Sequence, residues 1–194
     1  TTAVLLRCFA KKYSIPLIVH FHGYDASSAL SQPWYRTQFE SLMEDAAAVI
    51  VPSVHMERLI RIATGVSRHI DCIPYGPDLH VARELVASRS PRPFVVSALG
   101  RLTPKKSPLA LLEAFKLVVD EIPDACLEWV GDGEMRPEVE SRIIKHGLEK
   151  KVRLYGALGH REALSVIAQS SVFAQHSVTS VSGDQEGLPV AILE

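Results

Sequence analysis

Seven short apolar runs punctuate the chain, at residues 16–21, 48–51, 70–73, 94–98, 126–130, 152–155 and 171–175. None alternates cleanly between apolar and polar positions, a pattern that predicts strands covered on both faces. Between them the apolar spacing changes to three and four residues. Leu111, Leu112, Phe115, Val118 and Val119 form one stripe over 108–119, with Glu113, Lys116 and the following Asp120 off it, which predicts an amphipathic helix. Residues 134–146 and 160–169 follow the same spacing. The stretch from Pro33 to Ala46 carries Trp34, Phe39, Leu42 and Met43, and Ser53 is placed to cap a helix over 54–63. The opening TTAVLLRCFAKKYS reads as an amphipathic helix rather than a secretory signal, because it lacks a long apolar core.

Strand and helix alternate with short loops, which predicts parallel α/β architecture. The rhythm breaks once. From Tyr75 to Pro93 the sequence YGPDLHVARELVASRSPRP is rich in Pro, Arg and Ser, with a brief helical hint over 81–86. A domain junction is expected there, giving a first domain over 1–76, a linker over 77–92 and a second domain over 93–194. Two such units facing one another would line a cleft with the carboxyl ends of both sheets, where open α/β folds hold their ligands.

Composition narrows the classes of function. Lys and Arg number 21 against 22 Asp and Glu, so no global field draws the chain to nucleic acid or to an anionic membrane. Three cysteines, Cys8, Cys72 and Cys126, are too scattered for a disulfide framework or a zinc cluster and fit a reducing, cytoplasmic compartment. No stretch approaches twenty apolar residues. Thr1 is not an initiator and the last apolar run breaks off at Glu194, so a piece of a longer protein is expected.

Four stretches carry candidate chemistry. In SALGRLTPKKSPLALLEAF, Arg101, Lys105 and Lys106 follow a strand and precede a helix that starts at or just after Ser107–Pro108. Cations beside a helix's positive end form a phosphate site; the competing reading is a solvated charge run. Neither GxGxxG nor GxxxxGK[ST] is present. In LEWVGDGEMRPEVE, Gly131 and Gly133 suit a tight turn and close approach of backbone, and Asp132 or Glu134 could cap the following helix.

The closing SGDQEGLPVAILE puts Glu186 in a Gly-containing turn and Glu194 inside a helix opened by Pro189, two turns in. Carboxylates there suit sugar hydroxyls rather than phosphate, since like charges repel; the plain alternative is a helix cap and a solvated acid. In the first domain, IPLIVHFHGYDASSA ends a strand with His20 and His22 on one face and Phe21 on the other. With Asp25 three residues on, this suits acid–base chemistry or hydrogen bonding to a substrate hydroxyl. HxH also occurs in metal sites, but a credible site needs further ligands. The histidines could equally be satisfied structural residues.

Together GRLTPKKSPLALLEAF, PDACLEWVGDGEMRPEVE, VRLYGAL and above all EGLPVAILE resemble the group 1 (family 4) retaining glycosyltransferases of the two-Rossmann-domain, GT-B type. HSVT, GDQEGLPVAILE and FHGYD further resemble bacterial transferases of exopolysaccharide assembly, of the colanic acid and amylovoran kind. The resemblance implies two Rossmann-like parallel-sheet domains, both incomplete here, with the donor side nearly whole and the acceptor side not. It implies that Arg101 and Lys106 bind the donor diphosphate and that Glu194 binds the ribose. Glu186 would hold donor-sugar hydroxyls, with Gly187 and Leu188 supplying backbone contacts. His22, in preference to His20, would sit by the reacting sugar, and Tyr155 with the Gly156 loop would lie where the base is held. Gly133 belongs to the nucleotide-binding set, and Gly76 and Asp78 to the turn entering the interdomain region. Ser107 replaces a glycine common after the donor lysine and is expected to cap the helix instead.

No cofactor and no metal are implied. The donor would be a UDP- or GDP-sugar, the acceptor a saccharide or lipid-linked saccharide, and nucleic acid no partner. The parent would be a cytoplasmic hexosyltransferase, with Arg7, Lys11 and Lys12 leaving room for peripheral contact with the inner face of the membrane. Rival readings are a sugar-nucleotide epimerase or glycogen-type transferase, a non-catalytic nucleotide-sugar-binding module, and a metal-dependent hydrolase using His20, His22 and Asp25.

Overall fold

The computed structural model describes residues 2–77 and 79–194. Among them the order is α1 (Thr2–Lys12), β1 (Ile18–His20), α2 (Pro33–Asp45), β2 (Ala48–Val51), α3 (Val54–Thr64), β3 (Asp71–Cys72), α4 (Leu79–Ala87), β4 (Val95–Leu99), α5 (Pro108–Glu121), β5 (Cys126–Val130), α6 (Arg136–Lys145), β6 (Val152–Gly156), α7 (His160–Ala168), β7 (Val172–Phe173) and α8 (Val190–Leu193). Each of the seven apolar runs overlaps a strand. The chain divides into two compact units, Thr1–Gly76 with Thr179–Pro189, and Pro77–Val178 with Val190–Glu194.

The first unit holds a parallel sheet in the order β1-β2-β3. Phe21, Phe39, Leu42, Met43, Val49, Val51, Met56 and Ile60 are fully buried around it. Large apolar side chains so buried contribute about 1.5–3 kcal/mol each before entropy is counted. The cap expected at Ser53 is present, its Oγ accepting from the Met56 amide at 3.2 Å. At the other end of α3, Gly65 takes a left-handed conformation (φ 68°), and its amide reaches the Arg61 carbonyl at 2.8 Å.

The second unit holds a parallel sheet in the order β6-β5-β4-β7. Leu127 and Trp129 on β5 pack with Leu102, Leu112, Phe115, Val139 and Leu148. The intervening Glu128 therefore faces the other side of the sheet, where it is buried and paired with Arg92 at 2.5 Å. Beside it, the hydroxyls of Ser97 and Ser170 share a hydrogen bond of 2.7 Å.

Two local expectations meet a different outcome. Residues 77–92, read as a linker, contain α4, which packs on α7. The charges that made the stretch look solvated are used there: Glu84 pairs with Arg161 at 2.7 Å, and Arg89 donates to the Ala168 carbonyl. Asp78, assigned to the turn entering this region, lies outside the described residues. Ser107 does not cap α5: it is left-handed (φ 45°, ψ 54°) and its hydroxyl makes no capping bond. A capping side chain needs an extended backbone to reach the first-turn amides, and a left-handed one turns it away. Pro189 precedes α8, and the Glu194 amide makes a helical bond to the Val190 carbonyl.

Candidate functional site

In the second unit the strand order reverses around β4, which has β5 on one side and β7 on the other. Parallel sheets open a ligand crevice at the carboxyl ends of strands flanking such a reversal. The loop after β4 carries Gly100, Arg101 and Lys106 there. Arg101 is exposed and has no ion-pair partner among the described residues. The Lys106 stem runs past Gly100, where an added Cβ would come within 3.3 Å of Cε.

From the end of β7, Gln175 bridges the loop. With its amide assigned the orientation that its neighbours satisfy, the nitrogen donates to the Leu99 carbonyl at 2.9 Å and the oxygen accepts from Lys106 Nζ at 3.1 Å. His176 Nε2 lies 3.1 Å from the Ser107 carbonyl, and the Val178 amide donates to that of Lys105 at 2.8 Å. The buried Trp129 donates from Nε1 to the Gly100 carbonyl at 3.0 Å. The loop is thus held from β5 and from the segment after β7, with Arg101 exposed on it.

The second glycine pair explains itself by distance. A Cβ on Gly131 would fall 2.1 Å from the Gly100 carbonyl oxygen, and one on Gly133 would fall 2.5 Å from that of Leu102. Backbone contact is intended there: the Leu102 amide donates to the Asp132 carbonyl, and the Met135 amide to that of Leu102. Asp132 serves this turn rather than the helix end, its carboxylate accepting from the Gly133 amide and pairing with Arg136. Arg101, Lys106 and Gly133 therefore share one loop cluster.

Gly131 also donates to the Gly156 carbonyl, which joins the end of β6 to the cluster through the backbone. The Tyr155 side chain turns to Arg153, whose guanidinium lies 4.5 Å from the ring centre, and to Glu128. Burial and the Glu128 carboxylate push its phenol pKa up. Glu194 sits in a separate cavity of about 230 Å³ between α4 and α7, with Oε1 2.6 Å from His160 Nε2.

In the first unit, parallel β1, β2 and β3 bring the residues that follow each of them to one edge. His22 follows β1 and Tyr75 follows β3. The His22 Nδ1 and Tyr75 Oη atoms are 2.5 Å apart, and the rings stack with planes 7° apart and centres at 5.5 Å. The His20 ring lies 4.4 Å from His22, and its Nε2 is buried without a hydrogen-bond partner. Burial first, then the His22 charge, hold the His20 pKa below its ordinary value, against the opposing pull of Asp25. Asp25 Oδ1 accepts from the His22 and Gly23 amides at 3.1 and 3.0 Å.

The segment 179–189 packs on the same edge. Ser53 donates to the Gly187 carbonyl at 2.7 Å, His55 Nε2 lies 3.0 Å from Gln185 Oε1, and a Cβ on Gly187 would fall 2.4 Å from the His22 carbonyl. Glu186 is close enough to Tyr75 for its charge to raise the phenol pKa. His22, Glu186 and Gly187 therefore meet in this unit, and Leu188 follows half-buried. His20, His22 and Asp25 do not form a ligand set: among the described residues no three His, Cys, Asp or Glu side chains are placed to hold a metal ion.

Residues 84–194, more than half of the chain, match the family "glycosyl transferases group 1". The chain belongs to this family. Among relatives of this group 1 chain is an Escherichia coli protein named UDP-Gal:alpha-D-GlcNAc-diphosphoundecaprenol alpha-1,3-galactosyltransferase. It is 25% identical over all of this chain and 52% of its own length. The amylovoran biosynthesis glycosyltransferase AmsK of Erwinia amylovora is 29% identical over 53% of this chain and 25% of its own length. A putative colanic acid biosynthesis glycosyltransferase, WcaL of Escherichia coli, is 25% identical over 90% and 43%. The chain thus spans about half or less of the length of these relatives.

Solved structures share the GT-B arrangement of two Rossmann-like parallel sheets. The pneumococcal O-GlcNAc transferase GtfA, in complex with UDP and GlcNAc, superposes with a TM-score of 0.70 at 17% identity, covering 97% of this chain and 36% of its own. Anabaena Alr3699/HepE, in complex with UDP and glucose, gives 0.69 at 22% identity, covering 90% and 50%. Three neighbours of the group 1 motif residues were not visible as site residues in the sequence. Gln175 sits inside an apolar run, Tyr75 opens the Pro-rich stretch, and His160 heads a helix; strand order and tertiary contact alone bring them in.

Proposed function

We propose that the parent of this chain is a retaining glycosyltransferase that moves a sugar from a UDP- or GDP-sugar to an acceptor hydroxyl in bacterial polysaccharide or glycolipid synthesis. The observation that carries the reading is the loop after β4. In a group 1 chain, an exposed Arg101 and a Gln175-anchored Lys106 stand at the reversal point of the sheet, beside the start of α5. In the reaction the bond between the anomeric carbon and the diphosphate oxygen breaks, and the acceptor oxygen bonds to that carbon on the same face. The acceptor proton passes to the departing phosphate. Arg101 and Lys106 stabilise the negative charge that develops on the diphosphate, a term of about 3–4 kcal/mol per well-placed donor.

Glu186 would hold hydroxyls of the donor sugar and His22 would orient the reacting groups, while Gly187 and Leu188 offer backbone. Gly133 keeps the phosphate loop close, Tyr155 borders the base, and Glu194, held by His160, is the ribose acceptor of hydrogen bonds. The relatives named for amylovoran, colanic acid and undecaprenyl-linked glycans support a saccharide or lipid-linked acceptor; the enzyme would be cytoplasmic. No helix among the described residues is long and apolar enough to cross a membrane. Peripheral lipid contact is part of the proposal. On α1 it would use the exposed Leu5, Phe9 and Tyr13.

Calorimetry of the full-length protein against a panel of UDP- and GDP-sugars, followed by transfer assays and product NMR, tests the reading. Binding of one donor, lost in Arg101→Ala and Lys106→Ala, with a retained anomeric configuration in the product, is the expected result. Isomerised donor without acceptor would indicate an epimerase. Binding without any turnover would indicate a binding module.

A further inference from the structure

We infer that Tyr75 is the positioning residue of His22: its phenol donates to Nδ1 and fixes the imidazole with its proton on Nε2, so that His22 meets the substrate as a hydrogen-bond donor. The inference rests on the reading that His22 faces the reacting sugar. Its geometry stands independently of that reading.

The Oη to Nδ1 separation of 2.5 Å joins two stacked rings, so translation and tilt of the imidazole are both restrained. Which atom carries the proton follows from acidity. A phenol is a far stronger donor than a neutral imidazole N–H, and a bare imidazole nitrogen accepts better than a phenol oxygen. The surroundings favour the same assignment. Burial first, then the negative charges of Asp25, from the loop after β1, and Glu186, from the segment 179–189, raise the Tyr75 pKa and keep it protonated. His20 is the remaining titratable group at the cluster, 5.7 Å from the Tyr75 ring, and burial favours its neutral form.

His22 is thereby fixed at both ends. Asp25 holds its backbone amide, and Tyr75 holds the inner ring nitrogen. The residue is exposed, so Nε2 is left as its working atom. A ring in this state cannot take a proton at Nδ1 without breaking the Tyr75 bond. Donation from Nε2 to a sugar or phosphate oxygen is the role that remains. The nearest aromatic alternative, His20, meets His22 at a tilt of 36°.

Long-range proton–nitrogen NMR of the full-length protein with ¹⁵N-labelled histidine reads the tautomer directly. In the wild type at neutral pH, His22 should show an unprotonated Nδ1 and a protonated Nε2; in Tyr75→Phe the two tautomers should mix. Turnover of whichever member of the UDP- and GDP-sugar panel is consumed should fall about tenfold in Tyr75→Phe, the worth of one hydrogen bond in the transition state. Its KM should stay within about twofold, and the effect should vanish in a His22→Ala background. A proton on Nδ1 in the wild type, or a tautomer unchanged by Tyr75→Phe, would overturn the inference, and the wild-type spectrum decides even if that variant fails to fold. Full activity in His22→Ala would overturn the role of His22 itself and the catalytic half of the inference, whatever the tautomer.

Discussion

At the scale of single residues, the informative positions are those where a side chain is held by something the sequence does not place beside it. Lys106 is the clearest. Its ammonium is aimed by Gln175, two residues past β7, so removing either partner has separable effects. Lys106→Ala should lower kcat/KM of the parent enzyme about a hundredfold to a thousandfold, as loss of a charge-stabilising donor does. Gln175→Leu keeps the cation but not its aim, and should cost less, about tenfold, as one hydrogen bond would; steady-state kinetics on the donor separates the two.

His20 gives a pH dependence at the same scale. Its pKa is held below 6.5 in the folded chain, so the unfolded chain takes up the proton first as pH falls. Stability from this group is therefore complete above 6.5 and is lost as pH drops through the folded value. Urea denaturation of the wild type should show that decline over this window, and His20→Gln should flatten it.

Elements are where sequence and structure agree most and then part company. All seven strands were legible, because a buried parallel strand must be a short continuous apolar run and few other elements look like that. The Ser53 cap was legible for a similar reason: it satisfies a specific orphan amide. Three other features were not. Residues 77–92 look polar because α4 spends its charges on Arg161 and on carbonyls near Ser170, which no local pattern discloses. The Ser107 conformation depends on the tight 3-10 turn at Pro104–Lys106 that feeds it. The partners of the two clusters depend on strand order, since Gln175 reaches Lys106 only because β7 lies beside β4.

Two outcomes follow at this level. Ser107→Gly should raise stability by about 1 kcal/mol, the relief of a left-handed non-glycine residue, measured by urea denaturation. Ser53→Ala removes both the α3 cap and the bond to the Gly187 carbonyl, and should cost about 1–2 kcal/mol in the same assay.

Across the whole molecule, the division into units does not follow the order of the chain. After β7 the chain supplies 179–189 to the first unit and then returns to the second with α8. A cut at residue 76 would leave the His22 carbonyl and Met56 without the Gly187 backbone that covers them. Residues 1–76 expressed alone should therefore unfold at lower urea than the same unit in the whole chain, as followed by hydrogen exchange at the Met56 amide. Expected behaviour at this scale is also set by charge: with a net of −1 the protein should lose solubility close to neutral pH, near its sequence pI of about 6.7.

The bond from Trp129 to the Gly100 carbonyl has a practical consequence. The chain has two indoles, and the other, Trp34, is 64% exposed while Trp129 is buried at 3%. Their emission should separate by colour and by access to iodide, the outer fluorophore quenching first. The inner one reports on the carbonyl at the root of the cationic loop, so an unlabelled sample carries its own optical gauge of that loop, readable in a stopped-flow cuvette as nucleotide is added.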